Sequence, residues 1–192
     1  MLFEAAPIEG VQLVRQQRSV DERGAFARVF CREEFEANGL DPDVSQSSVS
    51  LNPRARTLRG MHYQTSPFEE VKLVRVTSGS VFDVVIDLRA DSLTYLQHFS
   101  LVLTAASGDA IYIPEGCAHG FLTLEDDTEV SYQMNRPHQP GAGRGVRWND
   151  PAFGIPWPAE PALISERDAT YADYVTPNGA KTPGGDSGDL KT

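Results

Sequence analysis

From Ser80 to Met134 the chain passes through short apolar stretches divided by turn signals, and this spacing constrains the fold more than any other feature. "SVFDVVIDLR" (80–89) puts Val81, Val84, Val85, Ile86 and Leu88 in one run, which predicts a largely buried strand. "HFSLVLT" (98–104) alternates Phe99, Leu101 and Leu103, the pattern of a half-exposed strand. "DAIYIP", "GFLTLE" and "TEVSYQM" follow, divided by Pro114–Glu115–Gly116 and by Glu125–Asp126–Asp127. Strands this short and close pair into a sandwich or jelly roll. The same reading extends strands and turns over most of residues 10–135. Helix is confined to "REEFEANG" (32–39), stopped by Gly39, and to one turn within "DPAFGIPWPAEPALISERDA".

A chain of 192 residues holds one domain with a full core, expected over 1–175. The last stretch, 176–192, is Gly, Pro, Ser and charge with almost nothing to bury, and is expected to be a disordered tail. A net charge of −10 argues against a nucleic-acid binder, which needs clustered Lys and Arg. It leaves room for a small anion held by a few local cations. Cys31 and Cys117 are too few for a disulfide framework and point to a reducing compartment. No apolar run approaches the roughly 18 residues of a membrane span. The acidic N-terminus "MLFEAAPIEGVQLV" lacks the basic region of a secretory signal, so a cytoplasmic location without membrane contact is expected.

Chemistry-bearing residues are few. Arg59 and His62 share the strand-like "TLRGMHYQ" (57–64), Lys72 lies in "EEVKLVRV", His119 in "IPEGCAHGF", Tyr132 in "EVSYQM" and Asp168 in "LISERDA". Singly, each has an ordinary reading: a structural histidine, a core tyrosine, a solvated lysine, an aspartate cap. Arg59 is different, because an arginine between Leu58 and Gly60 in a strand must reach water or find an anion. In a barrel, inward positions from several strands converge on one cavity.

One spacing is more specific. "GDAIYIPEGCAH" sets Gly108, Pro114, Gly116 and His119 in the order of the second cupin motif, with Thr123 where that motif has Asn. The first motif wants two histidines separated by one residue, with a Glu beyond. This chain has His62, Tyr63 and Gln64, with Glu69 further on. The fold expected is therefore all-β, a double-stranded β-helix (cupin-type jelly roll) with few short helices. A metal-dependent cupin enzyme using His62, Gln64, Glu69 and His119 stays open as an alternative.

Together, "DERGAFARVF", "TLRGMHYQ", "VKLVRVTSGSVFDVVIDLR", "IPEGCAHGFLTLEDDTEVSYQM" and "RWNDPAFGIPWP" resemble the dTDP-4-dehydrorhamnose 3,5-epimerase family, in order and spacing, over about residues 10–170. The resemblance implies a homodimeric jelly-roll epimerase that uses no cofactor and no metal. Its substrate would be a nucleotide diphosphate sugar with a ketone at C4. His62 would be the general base, Asp168 its carboxylate partner, Lys72 the stabiliser of the enolate oxygen, and Tyr132 the acid on the opposite face. Arg59 and Arg23 would hold the diphosphate, and His119 would line the sugar pocket. Phe26, Gln46 and Ser48 would help bind the nucleotide, in part from across the dimer. A non-catalytic sugar-nucleotide binder would keep the fold without these acid–base residues, and all of them are present.

The physics agrees with those roles. A proton beside a ketone is removable when the enolate oxygen meets fixed positive charge or donors. An imidazole, with an ordinary pKa of about 6.5, accepts a proton at neutral pH, and a carboxylate behind it stabilises the imidazolium. A planar guanidinium fork suits phosphate oxygens. Three departures fall where carbon and base would be selected. His138 stands where the family commonly has Tyr, Gln46–Ser47–Ser48 replaces Gln-Asp-Asn, and Arg28 replaces an acid. C3, C5 or both remain as reacting carbons, in rhamnose formation or a more specialised deoxysugar pathway.

Overall fold

Period-two alternation builds two facing sheets. The computed structural model describes residues 1–176, so the expected tail, apart from Thr176, lies outside the described residues. The first strands are β1 (Leu2–Ala5), β2 (Gln12–Arg15), β3 (Arg18–Asp21) and β4 (Gly24–Ala27), followed by helix α1 (Arg32–Ala37). Next come β5 (Gln46–Asn52), β6 (Thr57–Gln64), β7 (Lys72–Ser78), β8 (Ser80–Asp87) and β9 (His98–Thr104). β10 (Ala110–Ile113), β11 (Cys117–Thr123), β12 (Thr128–Met134), β13 (Gly143–Gly145), β14 (Leu163–Ile164) and helix α2 (Glu166–Ala169) complete the order.

One sheet runs β1-β2-β10-β7-β12-β5, and the other runs β13-β6-β11-β8-β9 with β14 parallel to β6. β3 and β4 form a separate hairpin. This is the expected all-β jelly roll. β1 precedes the region where alternation is legible, because its four residues are largely exposed and carry no apolar period.

Between the sheets lies a core that includes Val74, Val76, Val81, Val85, Ile111, Phe121 and Val130. β8 reads as a continuous apolar run because both of its faces are covered. Val81 and Val85 face this core, whereas Val84 and Ile86 pack outward with Met61, Val146 and Phe153. On the outside of the first sheet, Phe35 of α1 packs on Val14, Leu73 and Tyr112. Thr123, at the motif position expected to be Asn, accepts from Thr57 N–H at 2.9 Å and donates to Arg54 O at 2.9 Å. It therefore ties β11 to the approach to β6. Cys31 and Cys117 are both free thiols. Among the described residues, no helix is long and apolar enough to cross a membrane.

Candidate active site

At one end of the sandwich the inward positions change from apolar to polar. Lys72 precedes Val74 and Val76 on β7, Tyr132 follows Val130 on β12, and His119 lies between Cys117 and Phe121 on β11. The result is a cavity of about 630 Å³, lined among others by Arg59, His62, Lys72, His119, Tyr132 and Asp168. That volume suits a small-molecule ligand.

Arg59 and His62 are three residues apart, and in an uninterrupted strand they would face opposite sides. The ladder pairs His62 with His119 but Arg59 with Phe121, so β6 advances three residues where β11 advances two. This bulge resets the phase of β6 and turns both side chains to the cavity. Gly60 sits in it at φ +126°, where an added Cβ would stand 2.5 Å from Gly120 Cα and 2.9 Å from His119 O. Only glycine fits that conformation and that approach.

His62 Nε2 lies 2.7 Å from Asp168 Oδ1, and Gly60 N–H donates to Asp168 Oδ2 at 3.3 Å. Asp168 is delivered by α2, whose N-cap Ser165 accepts from Asp168 N–H through its hydroxyl at 3.1 Å. Burial would raise the Asp168 carboxyl, but the bonds from His62 and Gly60 outweigh it and hold it below its ordinary value. An ionised carboxylate only accepts, so His62 Nε2 carries the hydrogen and Nδ1 is left to take a proton.

Across the cavity, burial pushes the Tyr132 hydroxyl far above its ordinary range, with the Asp83 carboxylate adding to the rise and Arg59 opposing it. The hydroxyl is therefore held in its protonated form. Lys72 Nζ is ion-paired to Glu70 Oε1 at 2.9 Å, with the lysine side chain 10% exposed. Arg59 Nε donates to Asn52 Oδ1 at 2.8 Å. His119 Nε2 lies 2.9 Å from Asp83 Oδ2, and its ring meets Tyr132 edge-on at 6.1 Å.

Ser48 also lines the cavity, whereas four residues expected at the site do not. Arg23 and Phe26 lie on the β3–β4 hairpin, where Arg23 pairs with Asp21 and Phe26 is 79% exposed. The short hairpin belongs to neither large sheet, and neither residue lines the cavity. Gln46 and His138 lie outside the lining and contact each other through His138 N–H and Gln46 Oε1 at 3.0 Å. His138 is exposed.

The metal-dependent alternative is not supported by where its side chains go: His62 and His119 line the cavity, but the other two do not. Gln64 is turned away to Glu70 and to the backbone of Phe68 and Gln139, and neither Gln64 nor Glu69 lines the cavity. Among the described residues, no group of three or more His, Cys, Asp or Glu side chains is arranged to hold a metal ion.

Sequence reasoning missed several residues here. Asp83 had a visible signal, an acid at an inward position of an apolar strand, and it is fully buried. Arg167, which lines the cavity and lies over the Tyr171 ring at 5.7 Å, is adjacent to Asp168 in "SERD". Asn52 and Glu70 had no signal short of tertiary structure.

The jelly-roll cavity thus holds a histidine–carboxylate pair, a tyrosine whose hydroxyl is pushed up by burial, and an ion-paired lysine, a set of groups suited to acid–base chemistry. The family model for dTDP-4-dehydrorhamnose 3,5-epimerase matches residues 5–175. The dTDP-4-dehydrorhamnose 3,5-epimerase of Sinorhizobium fredii (strain NBRC 101917 / NGR234) is 40% identical over 171 residues, 88% of each chain. The Bacillus anthracis dTDP-4-dehydrorhamnose 3,5-epimerase, solved with TDP and PPi bound, superposes with a TM-score of 0.87 at 31% identity, covering 90% of this chain and 99% of that one. ChmJ, a 3'-monoepimerase from Streptomyces bikiniensis solved with dTDP-quinovose, gives 0.81 at 31% identity, covering 88% of this chain and 85% of that one. The chain belongs to the dTDP-4-dehydrorhamnose 3,5-epimerase family and is a carbohydrate epimerase.

Proposed function

We propose that the protein inverts C3, C5 or both of a dTDP-linked 4-keto-6-deoxyhexose in deoxysugar biosynthesis of the rhamnose type. The observation that carries this reading is the 2.7 Å His62–Asp168 pair sharing one cavity with Tyr132 and Lys72. His62 Nδ1 takes the proton from the carbon beside the ketone, and the C–H electrons move into a C=C bond as the ketone oxygen becomes an enolate. Lys72 meets that oxygen with a charged N–H donor. Tyr132 then donates its proton to the same carbon from the opposite face, which inverts it and restores the ketone; Tyr132 regains a proton from solvent and His62 releases to solvent the one it took. Such acid–base groups contribute about 10²- to 10⁴-fold each.

Arg59, whose Nη groups have no partner among the described residues, takes diphosphate oxygens. His119 and Ser48 line the sugar and nucleotide portions, with Gln46 and His138 just outside the cavity lining. The protein acts as a homodimer in which Arg23 and Phe26 reach the partner's nucleotide. Their exposure, with Phe26 at 79%, supports this reading. Two free cysteines fit a cytoplasmic place of action.

The test is proton NMR of dTDP-4-keto-6-deoxyglucose with the protein in D₂O and no reductase. Deuterium at both C3 and C5 identifies a double epimerase, and deuterium at one carbon a mono-epimerase. No exchange refutes the reading. His62→Asn abolishes exchange if His62 is the base. Light scattering at micromolar concentration checks the dimer, and a monomer there removes the proposed contribution of Arg23 and Phe26.

A further inference from the structure

Gln64 stands where the first cupin motif would place its second histidine, and the chemistry above makes no use of it. It ends β6 and is 4% exposed. Both ends of its carboxamide are engaged. Nε2 donates to Glu70 Oε2 at 3.0 Å and to Phe68 O at 3.1 Å, while Oε1 accepts from Gln139 N–H at 2.8 Å. The other oxygen of Glu70 holds Lys72 Nζ at 2.9 Å, and the two side chains are 11% and 10% exposed.

We propose that Glu70 is a positioning residue for Lys72 and that Gln64 is the anchor that fixes Glu70, so that Gln64–Glu70–Lys72 acts as one aimed unit. This inference rests on the reading of Lys72 as the group that meets the enolate oxygen. An ammonium on a four-carbon stem has wide rotamer freedom, and a donor contributes to catalysis only when it is already aimed where charge develops. One N–H of Lys72 is taken by Glu70, which leaves two for the cavity. A nearly buried carboxylate with one oxygen unpartnered would swing or draw in water. The Gln64 amide removes that freedom by donating to Glu70 and accepting from the backbone, which a carboxylate at position 64 would fail to do. Gln139 adjoins His138, so the same amide ties the segment beside the cavity to the lysine.

The test places Glu70→Gln and Gln64→Leu each in the wild-type chain and in Lys72→Ala. Four quantities are read: kcat for deuterium wash-in, KM, dTDP affinity by calorimetry, and the thermal midpoint. In the wild-type background each change is expected to lower kcat on the order of tenfold, with KM and dTDP affinity moving less than about twofold. In the Lys72→Ala background neither change lowers kcat further, because both act through the missing ammonium. Equal losses in the two backgrounds would overturn the inference while leaving the enolate reading intact. An undiminished kcat in Lys72→Ala alone would overturn both. If Gln64→Leu fails to fold, Glu70→Gln, which keeps the side chain's size, carries the test.

Discussion

Replacing Gly60 with alanine tests whether the bulge in β6 is what assembles the site. The new Cβ would stand 2.5 Å from Gly120 Cα and 2.9 Å from His119 O, both backbone atoms that no rotamer change can move. Position 60 also sits at φ +126°, which an L side chain adopts only with strain of order 1–3 kcal/mol. Relief requires β6 and β11 to separate by roughly an ångström, which also costs packing around buried Met61 and Phe121. The summed destabilisation is about 3–5 kcal/mol, or roughly 6–20 °C in the thermal midpoint for a chain of this size. Gly60 N–H bonds Asp168, and Gly60 separates Arg59 from His62, so the same movement pulls base and anion site out of register. A displacement of that size costs about 10²-fold in rate. Calorimetry gives the midpoint, and deuterium wash-in at a temperature where the variant is folded gives the rate. A Gly60→Ala protein with the wild-type midpoint and exchange rate would refute the argument.

Three further outcomes are expected. Asp168→Asn leaves the size of the side chain unchanged but removes the charge and leaves one acceptor oxygen for both Gly60 N–H and His62, so wash-in falls about 10²- to 10⁴-fold while dTDP still binds. Burial alone would raise the Asp87 carboxyl, but donors from Arg89, Ser92 and Thr94 outweigh it and lower it to about 2. Because the folded value is depressed, its contribution of about 2 kcal/mol is complete above pH ~4 and disappears as pH falls from about 4 through 2, and Asp87→Asn flattens that part of a midpoint-against-pH curve. Asn52→Ala frees Arg59 Nε from its acceptor, so dTDP affinity by calorimetry falls about tenfold.

Much of this protein was legible in one dimension. The apolar run of β8, the alternation of β9 and the turns at Pro114–Gly116 and Glu125–Asp127 determined an all-β sandwich, because a side-chain period of two is a local property. The candidates His62, Lys72, His119, Tyr132 and Asp168 were also named from the sequence, each with an ordinary reading on its own and marked out by the family resemblance, and the structure brings all five to one cavity. What tertiary structure alone decided concerns phase and partners. Whether Arg59 and His62 face the same way depends on a bulge formed by the Gly60–Gly120 approach, across two strands far apart in sequence. Arg23 and Phe26 fall outside the cavity lining, on a hairpin that belongs to neither large sheet. Gln64, Glu70 and Asn52 acquired roles only through the atoms they meet. Hydrogen-bond partners are set by packing geometry at ångström scale, which no local periodicity encodes.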